Sequence, residues 1–301
     1  MPSIPPDSST DSSRAARLDG ILCAIIAVML FASFTLVSRL GLTTTRLTLP
    51  DLAMLRFAIA GLVLFPVFIK HRLERLRRSQ AFLLAVTGGL GFVLFAYAGF
   101  RLAPASHGAV LLHGTIPLFT FLLTWFVAKR PTPGARRGGL VLIMLGICAM
   151  AWDSVHTAAT WQWLGDGALL LASLCWSAYG VVAQRSTAAP MQAAAIVAMG
   201  SLVCFLPVYL MLPSSGMAAV GWRDLLLQGV FQGILLGVVS IVVYTRAVVS
   251  LGAQRTAVFT AAVPCVTVIA GLWLLGEYPS WAALSGVAAV TAGMLTAMRN
   301  P

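Results

Sequence analysis

Ten apolar stretches follow one another along the chain, near residues 19–41, 49–69, 80–101, 105–128, 138–152, 163–185, 190–212, 222–248, 254–275 and 280–298, with short polar breaks between them. A helix needs about 20 mostly apolar residues to cross the hydrocarbon core of a bilayer, so 301 residues with such short breaks hold ten spans and little else. Lipid offers no partner to a backbone N–H or C=O, which leaves helices or a closed barrel. None of the runs alternates apolar and polar residues as barrel strands do. The predicted fold class is an all-α membrane protein of ten transmembrane helices.

Charge placement gives the orientation. Nine acidic residues face twenty basic ones, a net charge of +11 that in a soluble protein would suggest nucleic acid. With the N-terminus inside, fifteen of the basic residues fall on or near the cytoplasmic side, four (Arg39, Arg46, Arg101, Arg223) fall outside, and Arg56 lies within the second span. Cytoplasmic flanks carry the excess of Lys and Arg, so this asymmetry explains the charge without nucleic acid. It predicts a multi-pass protein of the cytoplasmic (inner) membrane with both termini inside and the lipid bilayer as its main partner.

Residues 1–18 are polar and rich in Ser and Pro, and read as a disordered cytoplasmic tail. The apolar run that follows exceeds the core of a signal peptide, so the first span is expected to stay uncleaved. The five cysteines, Cys23, Cys148, Cys175, Cys204 and Cys265, all sit inside apolar stretches without metal-ligand spacing and read as small core hydrophobes.

One offset, 147 residues, relates the two halves: Asp19-Gly20 falls on Asp166-Gly167, Tyr97 on Tyr244, Pro117 on Pro264, Gly139 on Gly286 and Gly146 on Gly293. Each half then holds five spans, 19–152 and 163–301, joined by an external linker at 153–162. An odd number of spans places the second half upside down, an inverted-topology repeat. The fourth-to-fifth connection reads Lys129-Arg130-Pro131 and its equivalent Gly276-Glu277-Tyr278, as expected if one faces the cytoplasm and the other does not. Inverted repeats are a recurring device of transporters; channels use them as well.

The first-span string MLFASFTLVSRLGL, the second-span LRFAIAGLVLF, the fourth-span TIPLFTFLLTWF, the ninth-span AVPCVTVIAGLWLLGE and the closing Gly286 and Gly293 stand in an order and spacing that resembles the drug/metabolite transporter superfamily, in its EamA-type ten-helix branch. The resemblance covers nearly the whole chain. It implies efflux or exchange of small organic metabolites, as varied as amino acids, sugars and nucleotide sugars across the superfamily, and names none of them. Neutral amino acids, aromatic ones included, are the leading expectation for this chain, moved by alternating access between the repeats. Where relatives commonly carry a tryptophan in the first span this chain has Phe31 and Phe34, and Phe34 joins the candidate lining.

Pro117 and Pro264 sit mid-span and remove the hydrogen bonds to the carbonyls of His113 and Thr260, creating two symmetry-related polar kinks suited to gating or to a cavity between the repeats. His113 is a histidine deep in a span, able to bind a substrate carboxylate, take a proton or bond a neighbouring helix. Trp176 and Tyr179 lie about a turn apart on the sixth span, with Tyr97 and Tyr244 as companions; together they form an aromatic wall for an amphipathic substrate or anchors at the interface. Arg56, five residues after Asp51, reads as a structural ion pair near the outer surface; Gln228 and Gln232, one turn apart on the eighth span, suit substrate binding or bonds to neighbouring helices, with packing the favoured reading. Gly139, Gly146, Gly286 and Gly293 give the fifth and tenth spans smooth faces for close approach, within the bundle or in a dimer. A monomer or weak dimer is expected.

Every acidic residue maps to a tail, loop or span end, so no carboxylate is expected at the midplane to exchange protons for cations. No deep Lys/Arg cluster awaits a phosphate ester. Metal-ligand spacing, a catalytic triad and a phosphate-binding glycine loop are all missing from the pattern, so neither an enzyme nor a cofactor is expected. His71, His107 and His156, in loops or at span ends, suggest nothing shared. Alternatives to an amino-acid exporter are a broad-specificity drug or metabolite efflux protein and, from a different class, a channel-like pore.

Overall fold

The computed structural model describes residues 8–70, 77–128, 134–156, 161–186, 189–212, 216–251 and 253–297. Among them the secondary structure is helical throughout: α1 (Ser8–Thr44), α2 (Leu49–Lys70), α3 (Arg78–Leu102), α4 (Ala105–Phe126), α5 (Gly134–His156), α6 (Gln162–Arg185), α7 (Pro190–Met211), α8 (Trp222–Leu251), α9 in two pieces (Ala253–Thr260 and Val263–Leu274) and α10 (Trp281–Ala297). Eight of these helices are long and apolar enough to cross a membrane, and α9 and α10 carry shorter apolar segments. The surface is inverted relative to a soluble protein. Leu62, Phe126, Val155, Met211 and Trp273 are exposed on the outside, whereas His107, Asp51, Gln228, Gln232 and Ser173 are buried. Trp152, Trp161, Trp163, Trp222, Tyr278 and Trp281 are exposed at helix ends, the positions of an interfacial aromatic belt.

Two boundaries differ from expectation. Helix α1 begins at Ser8, so part of the stretch read as a tail continues the first helix; Ala15, Ala16 and the flanking arginines are good helix formers. Helix α5 runs to His156, into the expected linker. The Lys129-Arg130 loop lies outside the described residues.

The helix pairings follow the repeat. The most extensive contacts join α5 to α10, α3 to α6, α2 to α7 and α1 to α8, followed by α4 with α6, α2 with α8, α3 with α7 and α1 with α9. Exchanging each helix for its equivalent five places along the chain maps α3·α6 onto α1·α8 and α4·α6 onto α1·α9, and leaves α5·α10 and α2·α7 unchanged. Each half therefore packs chiefly against the other. Between α5 and α10 the approach is backbone to backbone: a Cβ on Gly293 would stand 2.7 Å from Gly139 O, and one on Gly146 would stand 2.9 Å from Gly286 O. These four glycines serve the bundle interior.

Helical regularity fails where the two prolines predict it. The turn before Pro117 falls at Thr115, and the break before Pro264 falls at Ala261 and Ala262, its equivalents at the 147-residue offset. The Thr115 hydroxyl lies 2.7 Å from both Leu111 O and Ser173 Oγ, and Ser177 Oγ donates to Ile116 O, so α6 supplies polar partners around the α4 break. Three further segments widen into π-helical turns, Val86–Leu90 in α3, Gly108–Gly114 in α4 and Val230–Val239 in α8. Those of α3 and α8 overlap at the repeat offset. The amino-acid pattern carries no direct signal for them beyond glycines at 88, 89, 233 and 237.

Candidate functional site: a central aromatic cavity

A cavity of about 330 Å³ lies between the repeats, lined by residues of α1, α2, α3, α4, α6, α7, α8, α9 and α10. All three π-helical segments reach it: Gly88 and Gly89 from α3, Leu112 and His113 from α4, Leu236 and Gly237 from α8. Non-helical or widened backbone at membrane depth survives where it is buried in protein or lines a cavity, and π-bulges concentrate at functional sites. The local irregularities and the cavity thus account for one another.

Aromatic rings run around the cavity in series. Tyr244 lies 5.8 Å from Phe31, which stacks on His113 at 6.2 Å; Phe34 faces His113 edge-on at 6.5 Å and lies 5.8 Å from Phe92. Trp176 follows at 4.7 Å from Phe92, and Tyr179 at 5.2 Å from Trp176. Offset and tilted pairs at these separations are favourable, and the ring faces offer a flat apolar wall with hydroxyls at its edge.

Of the residues singled out in the sequence, His113, Trp176, Tyr179, Tyr244, Thr260, Phe34 and Pro117 all line this cavity. Pro264 is buried beside it, with Val263 taking the lining position. Tyr97 is a correction. It is fully buried away from the lining and its hydroxyl donates to Gln232 Oε1 at 2.9 Å. Gln232 in turn donates to Ser38 Oγ at 2.9 Å and Gln228 to Val37 O at 2.9 Å, so both glutamines tie α8 to α1 and act as packing groups. Ser38, Tyr97 and Gln232 stand one turn beyond the lining residues Phe34, Val93 and Leu236, and form a polar layer closing one end of the cavity.

Tyr97 and Tyr244 are equivalent in the repeat, yet Tyr97 packs into the Gln232 layer while Tyr244 lines the cavity beside Phe31. The closed layer is at the end of Tyr97.

Arg56 is a second correction. Asp51 accepts hydrogen bonds from Thr48 N (2.9 Å), Thr48 Oγ1 (2.7 Å) and the Tyr209 hydroxyl (2.7 Å), while Arg56 turns to the cavity with its guanidinium 5.1 Å from the centre of the Phe34 ring. Its Nη1 is buried without a hydrogen-bond partner, and so is Nδ1 of His113.

Beyond the closed layer lies a buried network that the amino-acid pattern does not announce. His107, fully buried on α4, lies between Asp166 Oδ1 (2.8 Å from Nδ1) and Asp153 Oδ2 (2.9 Å from Nε2). Ser154 donates to Asp166, Ser280 donates to Asp153, and Gln162 donates to Ser154 at 3.1 Å. Close by, Arg39 of α1 pairs with Glu277 and donates to the carbonyls of Phe100 and Ala103, while Glu277 accepts the Ala105 N–H at 2.7 Å. Gly276, at φ +64°, lets the chain reverse after α9 and carry Glu277 to this position. A smaller cavity of about 270 Å³ lies among Ser106, Asp153, Gln162, Glu277, Tyr278 and Ser280. The polar and charged residues here are far apart in sequence; the repeat match had marked Asp166 and the 276–278 connection Glu277, but nothing along the chain joined them to His107, Asp153 or Arg39.

Comparison with known proteins agrees with this architecture. No curated protein matches the chain. A solved structure, described only as the crystal structure of a protein, aligns with a TM-score of 0.61 at 18% identity over 94% of this chain and 96% of its own, a likeness of fold. A family model matches twice, over residues 18–152 and 163–299, the two halves related by the 147-residue offset. The chain is therefore a multi-pass membrane protein of the EamA-like transporter family.

Proposed function

We propose that the chain is a carrier that exports small organic metabolites, with neutral and aromatic amino acids as the leading class, by alternating access at the central cavity. In this reading ten helices cross a cytoplasmic membrane, α9 and α10 included, with the second repeat inverted relative to the first and both termini in the cytoplasm. The observation that carries it is the cavity between the two repeats, walled by rings from both and closed at one end by the Ser38–Tyr97–Gln232 layer. Rocking one repeat against the other opens such a site to either side in turn. Its size and aromatic lining suit a small amphipathic molecule. Among the described residues none that lines it is acidic, which favours movement without obligate proton coupling. The protein works in lipid as a monomer or weak dimer.

Proteoliposomes of the purified protein decide the matter. A panel of labelled neutral and aromatic amino acids, a sugar and an organic cation is offered with and without a proton gradient. Saturable, stereoselective amino-acid flux indifferent to the gradient is expected. Unsaturable flux would make the protein a pore, and gradient-driven flux of the cation alone would overturn both the substrate class and the uncoupled mechanism.

A further inference from the structure

Arg56 sits about 10 Å inside the end of α2, seven residues from Leu49 at the helical rise. A buried guanidinium is tolerated when its charge and its donors are matched, and is costly otherwise. Here Nη1 is buried and unmatched, and the guanidinium lies over a phenyl ring. The acids that could have balanced it are engaged elsewhere: Asp51 with Thr48 and Tyr209, Glu277 with Arg39, Asp153 and Asp166 with His107. Among the described residues no acid lines the cavity, and none of them supplies an anion to this guanidinium.

The geometry points to a carboxylate-binding site at Arg56, and hence to aromatic carboxylic acids, with or without an α-amino group, as the ligands of the cavity. A planar fork of N–H donors matches a carboxylate, whereas a single guanidinium in an apolar enclosure is a poor match for the greater charge of a phosphate ester. The ring of the ligand lies against Phe34, Phe92 and Trp176, and His113 Nδ1 offers a second polar contact. An ammonium group can lie against the ring faces, but without a carboxylate it would add a second positive charge to the enclosure that already holds Arg56, so an amine alone is disfavoured. This deepens the carrier reading and rests on it for the identity of the site.

The test is binding to the purified full-length protein in detergent, by calorimetry, of three ligands sharing one ring: 3-phenylpropionate, phenylalanine and 2-phenylethylamine. The first two bind saturably and the third does not; Arg56→Gln weakens both acids about tenfold or more, and Arg56→Lys, which keeps the charge without the fork, falls between. Binding of 2-phenylethylamine in preference to 3-phenylpropionate, or unchanged acid binding in folded Arg56→Gln, overturns the assignment. Should Arg56→Gln fail to fold, the ranking of the three ligands on the native protein still decides. Binding of the acids without any flux in proteoliposomes would sink the carrier reading and leave the site standing. Flux of neutral substrates indifferent to the carboxylate would do the reverse.

Discussion

Nδ1 of His107, on α4 of the first repeat, lies 2.8 Å from Oδ1 of Asp166, on α6 of the second. The opposite ring nitrogen faces Asp153 at 2.9 Å, so the imidazole satisfies both carboxylates only when each nitrogen carries a proton. The network joins the two repeats beyond the closed end of the cavity, where Arg39 and Glu277 make a second cross-repeat tie. Carriers that alternate must break and remake contacts of this kind at each end.

Removing one member of a buried charged set leaves the others unmatched. His107→Ala is expected to lower stability by about 3 kcal/mol. Thermal unfolding in detergent gives the answer, and a melting temperature equal to that of the native protein would dismiss the network as a stabilising element.

The Arg39–Glu277 tie is partly exposed, and its loss should cost less. Glu277→Gln keeps an acceptor for the Ala105 N–H but removes the charge facing Arg39, and about 1–2 kcal/mol of destabilisation is expected once solvent screening is allowed for. Raising the salt concentration should narrow the gap between variant and native melts; a gap indifferent to salt argues against an electrostatic origin.

The glycine contacts between α5 and α10 separate packing from helix propensity. Gly293→Ala puts a Cβ 2.7 Å from the Gly139 carbonyl and 2.9 Å from Ile143 N, and should cost about 2 kcal/mol. Gly138→Ala meets nothing within 4 Å and should be neutral or stabilising by up to about 1 kcal/mol. Equal melting temperatures for the two variants would show that the interface yields.

Trp176 stands in the cavity wall between Phe92 and Tyr179, and an aromatic substrate stacked on its ring would gain about 0.5–1.5 kcal/mol from that contact. Trp176→Ala should therefore raise the half-saturation concentration for flux about tenfold, with Trp176→Phe milder. An unchanged half-saturation concentration would remove Trp176 from the substrate's path.

Tyr97 offers a test of alternation itself. It is buried in this state while its repeat equivalent Tyr244 lines the cavity. If the inverted repeats exchange conformations, Tyr97→Cys becomes reactive to a membrane-impermeant thiol reagent from the external side during turnover, and Tyr244→Cys becomes less reactive. The five native cysteines are replaced first. Reactivity at position 97 that ignores substrate would count against exchange.

Much of the architecture was legible in the chain because membrane solvation leaves few choices. Apolar runs must be helices where lipid satisfies no backbone group, and the repeat read at offset 147 agrees with the way the two halves pair. Pro117 and Pro264 located the helix breaks, since a missing N–H acts locally whatever the surroundings. Six residues named in advance as candidate lining, His113, Trp176, Tyr179, Tyr244, Thr260 and Phe34, do face the cavity, since rings and polar groups in mid-span turn away from lipid; Tyr97 turns away from it too, but into packing.

What only the tertiary structure decided depends on which side chains meet across distant helices. Tyr97 and Tyr244 occupy equivalent places in sequence, and only the off-centre closure of the bundle makes one a packing residue and the other a wall. Asp51 and Arg56 stand close enough along one helix to suggest a pair, yet Tyr209, 158 residues away, takes the carboxylate and frees the guanidinium for the cavity. His107, Asp153 and Asp166 carry no shared pattern along the chain, because hydrogen bonds between helices leave no periodicity behind. Local chemistry and the membrane determined the helices and their breaks; long-range packing determined where their charges go.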